Sequence, residues 1–276
     1  KKKKKDPPRV FFYEKMIDII GYISAIIIGI ILSLIGGGGS ILTIPVLVYI
    51  LTIEPILATT YSLFIVGITA FFGAIKNIKK NNIDFKIGVI FTLPSLLSIY
   101  FTRRFILPSL PEKIKITSSL YYKIDELILI FLAFIMVFAA ASMITSRNNS
   151  IIKKEINYFI IVIEGLIIGL VTGLIGAGGG FLIIPMLVLF GGLSMKKAIG
   201  TSLMIISLKS LIGIIGDFQL ALNIDWIFLL SFSCFSLFGM FIGLYISRFL
   251  SGEKLKKIFG YFVLSIAVFI FLKELY

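Results

Sequence analysis

Long apolar stretches separated by short polar gaps dominate this chain. Those at 17–35, 56–75, 86–106, 125–146, 157–175, 195–216, 226–247 and 256–273 each approach the ~20 apolar residues that a helix needs to cross a bilayer core. The pattern predicts an all-α polytopic membrane protein of about eight transmembrane helices, four in each half. Two further apolar pieces, 41–51 and 181–190, are too short, because at ~1.5 Å per residue neither crosses a core of ~30 Å. They read as half-helices or re-entrant segments.

Both short pieces follow a glycine run, and the two runs match. Leu34-Ile35-Gly36-Gly37-Gly38-Gly39-Ser40-Ile41-Leu42-Thr43-Ile44-Pro45-Val46-Leu47-Val48 returns as Leu174-Ile175-Gly176-Ala177-Gly178-Gly179-Gly180-Phe181-Leu182-Ile183-Ile184-Pro185-Met186-Leu187-Val188, with ten of fifteen positions identical. The likeness continues at the same offset through Ala58 and Ala198, Ser62-Leu63 and Ser202-Leu203, and Gly73 and Gly213. One residue further on, Asn82-Ile83-Asp84-Phe85 aligns with Asn223-Ile224-Asp225-Trp226, and Glu112-Lys113-Ile114-Lys115 with Glu253-Lys254-Leu255-Lys256. Repetition over this length points to duplication of a whole four-span unit. The division it suggests is a basic amino-terminal flank at 1–16, a first half at 17–146, a linker at 147–156 and a second half at 157–276.

Composition fits the membrane class: 58% of the residues are hydrophobic and 15% charged, with a mean hydropathy of +1.07. Histidine is absent and Cys234 is the one cysteine, so zinc sites and Cys/His hydrolases are excluded and no cofactor is implied. The net charge of +13 comes from 27 basic and 14 acidic residues. The basic ones sit mainly between apolar runs, where membrane orientation and anionic headgroups explain them, so nucleic acid is not an expected partner. Counting Lys and Arg leaves two arrangements open. If each glycine-broken segment returns to its starting side, the halves are inverted; if it crosses, they are parallel.

The glycine runs are the first candidates for chemistry. Without Cβ atoms, Gly36, Gly37, Gly38 and Gly39, and Gly176, Gly178, Gly179 and Gly180, allow sharp turns and present successive N–H groups, each run feeding the positive end of a short helix. Two such breaks meeting near the bilayer midplane make a candidate anion site; the plainer role is close helix packing. Pro45 and Pro185 are expected near the first turn of each half-helix, where a missing N–H costs least. Ser40 and Thr43 are candidate hydroxyl donors in the first copy, whereas Gly180 and Ile183 replace them in the second. Thr201 and Ser202 add a further polar pair.

Within the spans charges are few. Glu164 and Lys209 are candidates for a coupling group and a counter-charge to an anion, with snorkelling to an interface as the alternative. Asp84 and Asp225 fit Asx-type caps of the helices that follow them. Small residues recur at Ala25, Gly29 and Ser33 and at Gly165, Gly169 and Gly173, a spacing that lets helices of the two halves pack closely.

At these residues the chain resembles the sulfite exporter TauE/SafE family of membrane transporters. The second half carries Gly176-Ala177-Gly178-Gly179-Gly180 through Pro185-Met186-Leu187, then Ala198-Ile199-Gly200-Thr201-Ser202-Leu203; the first is looser, with Ala58-Thr59-Thr60-Tyr61-Ser62-Leu63 in the second pattern. The resemblance implies a multi-pass protein of the cell membrane that moves sulfur-containing anions such as sulfite or organosulfonates. Its partners would be the anion, the lipid bilayer and a coupling ion, H+ or Na+. A channel-like permease is the nearest alternative. An intramembrane enzyme, or an accessory subunit, is the more distant one: paired carboxylates, a serine with a base and metal ligands are all missing from the spans, so no enzymatic activity is expected.

Overall fold

The computed structural model describes residues 8–37, 39–106, 109, 113–117, 120–145, 158–175, 180–217 and 224–275. Its helices are α1 (Pro8–Ile35), α2 (Gly39–Pro45), α3 (Pro55–Ile78), α4 (Phe85–Phe101), α5 (Ile124–Thr145), α6 (Tyr158–Ile175), α7 (Gly180–Leu189), α8 (Met195–Asp217), α9 (Trp226–Ile246) and α10 (Gly252–Leu275). Helix thus occupies every stretch that the apolar pattern marked, and α1 begins already within the basic flank. Four helical stretches, Leu57–Ile78, Phe85–Ile106, Trp226–Ile246 and Gly252–Leu272, are long and apolar enough to cross a membrane by length and composition. Ile19–Ile35, Met136–Thr145 and Tyr158–Leu174 are shorter apolar helices.

Among the described residues the departure from helix is a two-stranded antiparallel hairpin, β1 (Lys113–Thr117) and β2 (Leu120–Lys123). Lys113-Ile114-Lys115-Ile116 alternates with period two and is β-branched on one face, while Tyr121-Tyr122 favours extended backbone. The aligned Glu253-Lys254-Leu255-Lys256 lies instead in the first turns of α10, so the two halves differ in structure there despite similar residues.

Contacts between named side chains fix the sense of each helix pair. Tyr22 stacks on Phe235 at 4.6 Å between ring centres, and further along the same two helices Gly29 lies against Ser236 and Met240 and Gly243 against Ile30 and Ser33, so α1 and α9 run parallel. Gly165 faces Phe91 and Pro94, Gly169 faces Ser95 and Ser98, and Gly173 faces Ile99 and Thr102; α4 and α6 are parallel too. These are the small-residue stripes, and a Cβ on Gly29, Gly169 or Gly239 would overlap backbone of the facing helix. Close packing between the halves is therefore what the stripes accomplish.

The pair α3 and α8 runs the other way. Leu63 meets Gly213, Gly67 meets Ser210, and Gly73 meets Leu203. These are the second spans of the two halves, so under the duplication that the sequence suggests, the copies are inverted rather than parallel. The short segments agree. Gly39 at the start of α2 lies beside Ile28 and Leu32, and Leu51 beyond its end lies beside Gly21, so the chain turns at the glycines and comes back along α1. In the second half, Lys86 sits 4.0 Å over the Tyr158 ring at the start of α6, and Gly200 near the start of α8 abuts Asn77 and Asn82. Because α6 and α8 both start at this end of the bundle, the segment between them also returns to where it began.

Matched polar contacts hold the two ends. The Asp84 N–H donates to the Thr201 hydroxyl at 3.0 Å and the Asp225 N–H to the Tyr61 hydroxyl at 2.7 Å. Asp84 and Asp225 cap α4 and α9 as expected, each carboxylate accepting from the backbone N–H three residues on, Ile87 and Phe228, at 3.0 Å. A large core built from both halves, including Leu32, Ile35, Ile184, Leu187, Leu203 and Ile206, lies between.

Candidate functional site

The glycine breaks point at one another from opposite ends of the bundle. Gly36, buried and with φ +65°, sits in a left-handed conformation that other residues adopt at a cost. A Cβ there would also press on Ser202 Oγ, Ile184 and the Ile199 backbone. A Cβ on Gly180, the first residue of α7, would lie 3.0 Å from Gly37 Cα and 2.6 Å from the Ile206 side chain. Gly36, Gly37 and Gly180 therefore meet against one face of α8, with room for nothing larger. Gly39 abuts α1 instead. Gly38, Gly176, Gly178 and Gly179, like the 147–156 linker, lie outside the described residues.

The hydroxyls are bound to backbone more than the sequence suggested. Thr43 donates to the Gly39 carbonyl at 2.7 Å, closing its own helix turn as buried membrane hydroxyls commonly do. Ser202 reaches the Gly36 carbonyl at 2.6 Å and the Ile199 carbonyl at 2.9 Å. Its single proton is thus held at the apex of the first hairpin, where it positions the turn rather than offering a free donor. Thr201 accepts from Asp84, an end-of-bundle contact. Ser40 falls in the first turn of α2, and its side chain is outside the described set.

The prolines lie deeper than expected. Pro45 is the last residue of α2 and leads into a π-helical turn, Val46–Ile50; Pro185 is inside α7. A proline beyond the first turn removes an i→i−4 hydrogen bond and crowds the preceding turn, and the wider turn after Pro45 accommodates both effects.

Lys209 occupies a telling position. Ser202, Ile206 and Lys209 stand on one face of α8 at i, i+4 and i+7, the face that Gly36 and Gly180 touch. The Lys209 ammonium is buried with no hydrogen-bond partner among the described residues. One turn beyond Ile206, about 4.5 Å along the axis, it lies next to the meeting point of the two hairpins. Glu164 in α6 is likewise buried, and neither carboxylate oxygen has a hydrogen-bond partner among the described residues. The two charges are not hydrogen-bonded to each other, and Glu164 shares the face of α6 that carries the buried core residues Ile161 and Ile168. Snorkelling does not describe either residue, since both are almost wholly inaccessible, at 5% and 6% exposure.

Sequence reasoning passed over a second polar region. At the end of the bundle where α3 ends and α8 begins, a cavity of about 120 Å³ is lined by Ser33, Asn77, Lys80, Asn82, Lys196 and Arg248 among others. Its lining comes from α1, α3, α8, α9, α10 and the connection after α3, which no local motif could reveal. Among the described residues no group of three or more His, Cys, Asp or Glu could hold a metal ion.

No solved structure matches the chain. A probable membrane transporter protein of Xylella fastidiosa is 26% identical over 254 residues, covering 88% of this chain and 91% of that protein. YunE of Bacillus subtilis, also a probable membrane transporter protein, is 27% identical over 252 residues, 83% and 88% of the two chains. A probable membrane transporter protein of Methanocaldococcus jannaschii is 33% identical over 129 residues, 43% of this chain and 48% of that one. Residues 22–270 match the family described as sulfite exporter TauE/SafE, from the upper part of α1 to the last turns of α10, and the chain belongs to that family of membrane transporters.

Proposed function

We propose that the protein is a multi-pass transporter of the cell membrane, built from two inverted copies of one unit, that carries small sulfur-containing anions such as sulfite or organosulfonates, most simply outward. The anion sits beside the packed hairpin apices, at the Lys209 ammonium. Buried Lys209, unpartnered on the face of α8 that touches both apices, is the observation that carries this reading. An ionised lysine at the centre of a membrane helix costs about 3 kcal/mol on insertion scales, and an anion alongside offsets that cost. Backbone N–H groups of the glycine runs supply hydrogen bonds, because Thr43 and Ser202 donate elsewhere. Rocking of one inverted half against the other, around the fixed apices, would expose the site alternately to each side. Glu164 is the proposed carrier of the coupling ion, a proton or Na+.

The test is anion flux in proteoliposomes. Sulfite or a small organosulfonate should be carried by the native protein with saturation, and Lys209→Gln and Gly180→Leu should each lower the rate by about 100-fold while the protein still inserts. Undiminished flux in both variants would sink the central site, and flux rising linearly with concentration would replace the carrier by a channel. Glu164→Gln should leave exchange intact and abolish gradient-driven accumulation.

A further inference from the structure

The cavity at the Lys196 end is built for negative charge. Lys80 comes from the connection after α3, Lys196 from the first turn of α8, and Arg248 from the turn after α9. Three elements from two halves of the chain thus bring three cations to one space of about 120 Å³, which Asn77, Asn82, Ser33 and Ser247 also line. The connection is held rather than loose. Asn82 N–H donates to the Asn77 carbonyl at 3.0 Å, Lys80 N–H to the same carbonyl at 3.1 Å, and Asn81 takes φ +54° to complete the turn. Gly200 lets α8 press directly on Asn77 and Asn82.

Electrostatically the arrangement is unfavourable when empty of counter-charge. The groups that act on Lys80 are all cations, Arg248, Lys196 and Lys76, and together with burial they hold its pKa below the ordinary lysine value. Lys196 and Lys197 also stand at the positive end of α8, where a cation is disfavoured. A bound anion relieves both. In sequence, at the offsets that relate the halves, Lys80, Lys196 and Arg248 correspond to the uncharged Ala221, Ile56 and Leu107.

We propose that this cavity is an oxyanion-binding site at one mouth of the bundle, distinct from the site beside Lys209. Ser33 and Ile199 line it; Ile199 also touches Gly36, so the cavity borders the first hairpin apex directly. It takes a small oxyanion, either free in solution or as the headgroup of an anionic lipid. Its role as a capture point for the carried ion rests on the transport reading above; the binding itself does not.

The experiment compares the native protein with Lys80→Gln/Lys196→Gln/Arg248→Gln and with a control of equal charge loss outside the cavity, Lys79→Gln/Lys197→Gln/Lys257→Gln. Inorganic sulfate at constant ionic strength should raise the unfolding temperature of detergent-purified native and control protein and leave the cavity variant unmoved. In phosphatidylcholine proteoliposomes the cavity variant should need about tenfold more anion for half-maximal flux, at unchanged maximal rate. Should phosphatidylglycerol rather than sulfate stabilise the native and control proteins alone, the occupant is a lipid headgroup and the oxyanion site stands. Equal responses of all three proteins to both probes would overturn it. Sulfate binding without sulfite flux in the native protein would remove the transport reading and leave the site intact, whereas flux with no cavity-dependent binding would do the reverse.

Discussion

The two ends of the bundle are alike in how they are tied and unlike in what they offer to solvent. At one end the Asp84 N–H is held by Thr201, at the other the Asp225 N–H by Tyr61, and each bond crosses from one half to the other. A threonine hydroxyl and a tyrosine hydroxyl thus do the same task from different reach. At the first end Lys80, Lys196 and Arg248 line a cavity. In the interior the same contrast recurs: at the offset of the repeat, buried and unpartnered Lys209 corresponds to Thr69, whose hydroxyl bonds the Ile65 carbonyl at 2.6 Å and lies 3.2 Å from Ser236. At these matched positions the backbone contacts are alike, while the side chains differ in charge.

The comparison breaks hardest at Lys209 and Thr69. Lys209→Met should abolish anion flux yet raise the unfolding temperature, since it removes an unpartnered buried charge at a cost of about 3 kcal/mol; Thr69→Val should leave flux within about threefold. A Lys209→Met protein that is less stable than the native one would show that the ammonium is paired after all. Next in size is the inter-half packing. Gly29→Ala and Gly169→Ala place a Cβ on facing backbone and should each lower stability by about 1–3 kcal/mol, read as loss of monodisperse protein on mild heating, whereas Gly252→Ala, with its nearest neighbour at 3.8 Å, should be neutral.

The matched end contacts give a sharper test. Tyr61→Phe and Thr201→Val each leave one backbone N–H without its acceptor, and both should cost about 1–3 kcal/mol. Widely different losses in parallel melts would mean that the ends are not equivalent. The smallest effect is expected at Lys80. Its pKa is lowered in the folded protein, so between that value and the ordinary 10.5 the unfolded chain binds more protons and stability rises with pH. Lys80→Gln should flatten this alkaline rise and slightly stabilise the protein at neutral pH, measured as unfolding temperature against pH.

Much of the architecture was legible in the residues. Apolar runs placed the helices because a bilayer demands length and uniform hydropathy, and Asp84 and Asp225 announced helix starts because a short carboxylate satisfies an orphan N–H nearby. The relative direction of α3 and α8 was not legible, since Lys and Arg were nearly balanced between the two membrane sides in the inverted scheme; their antiparallel run is read from the contacts of Leu63, Gly67 and Gly73. Tyr61 looked like a departure from the pattern and proved a substitute for a threonine, because its longer side chain reaches the same kind of N–H. The Thr43 bond to the Gly39 carbonyl is local to its own helix turn, whereas the Ser202 bond to the Gly36 carbonyl joins residues that only the fold brings near. Lys80, Lys196 and Arg248 are far apart in sequence and carry no motif, so their cavity emerges only where the ends of α3 and α9 meet the start of α8.

The pairing of α1 with α9 also sets a timetable for biosynthesis. Gly29 is made early and Gly239 late, so at 5–20 residues per second the stripe on α1 spends about 10 to 40 s in the membrane before its partner emerges. The same holds in shorter form for α3 and α8. During that interval the first half presents close-packing surfaces that lipid or another helix must cover, and a ribosome pause near residues 147–156 would lengthen it. Shielding of the half-finished bundle during insertion should therefore raise the yield of folded protein.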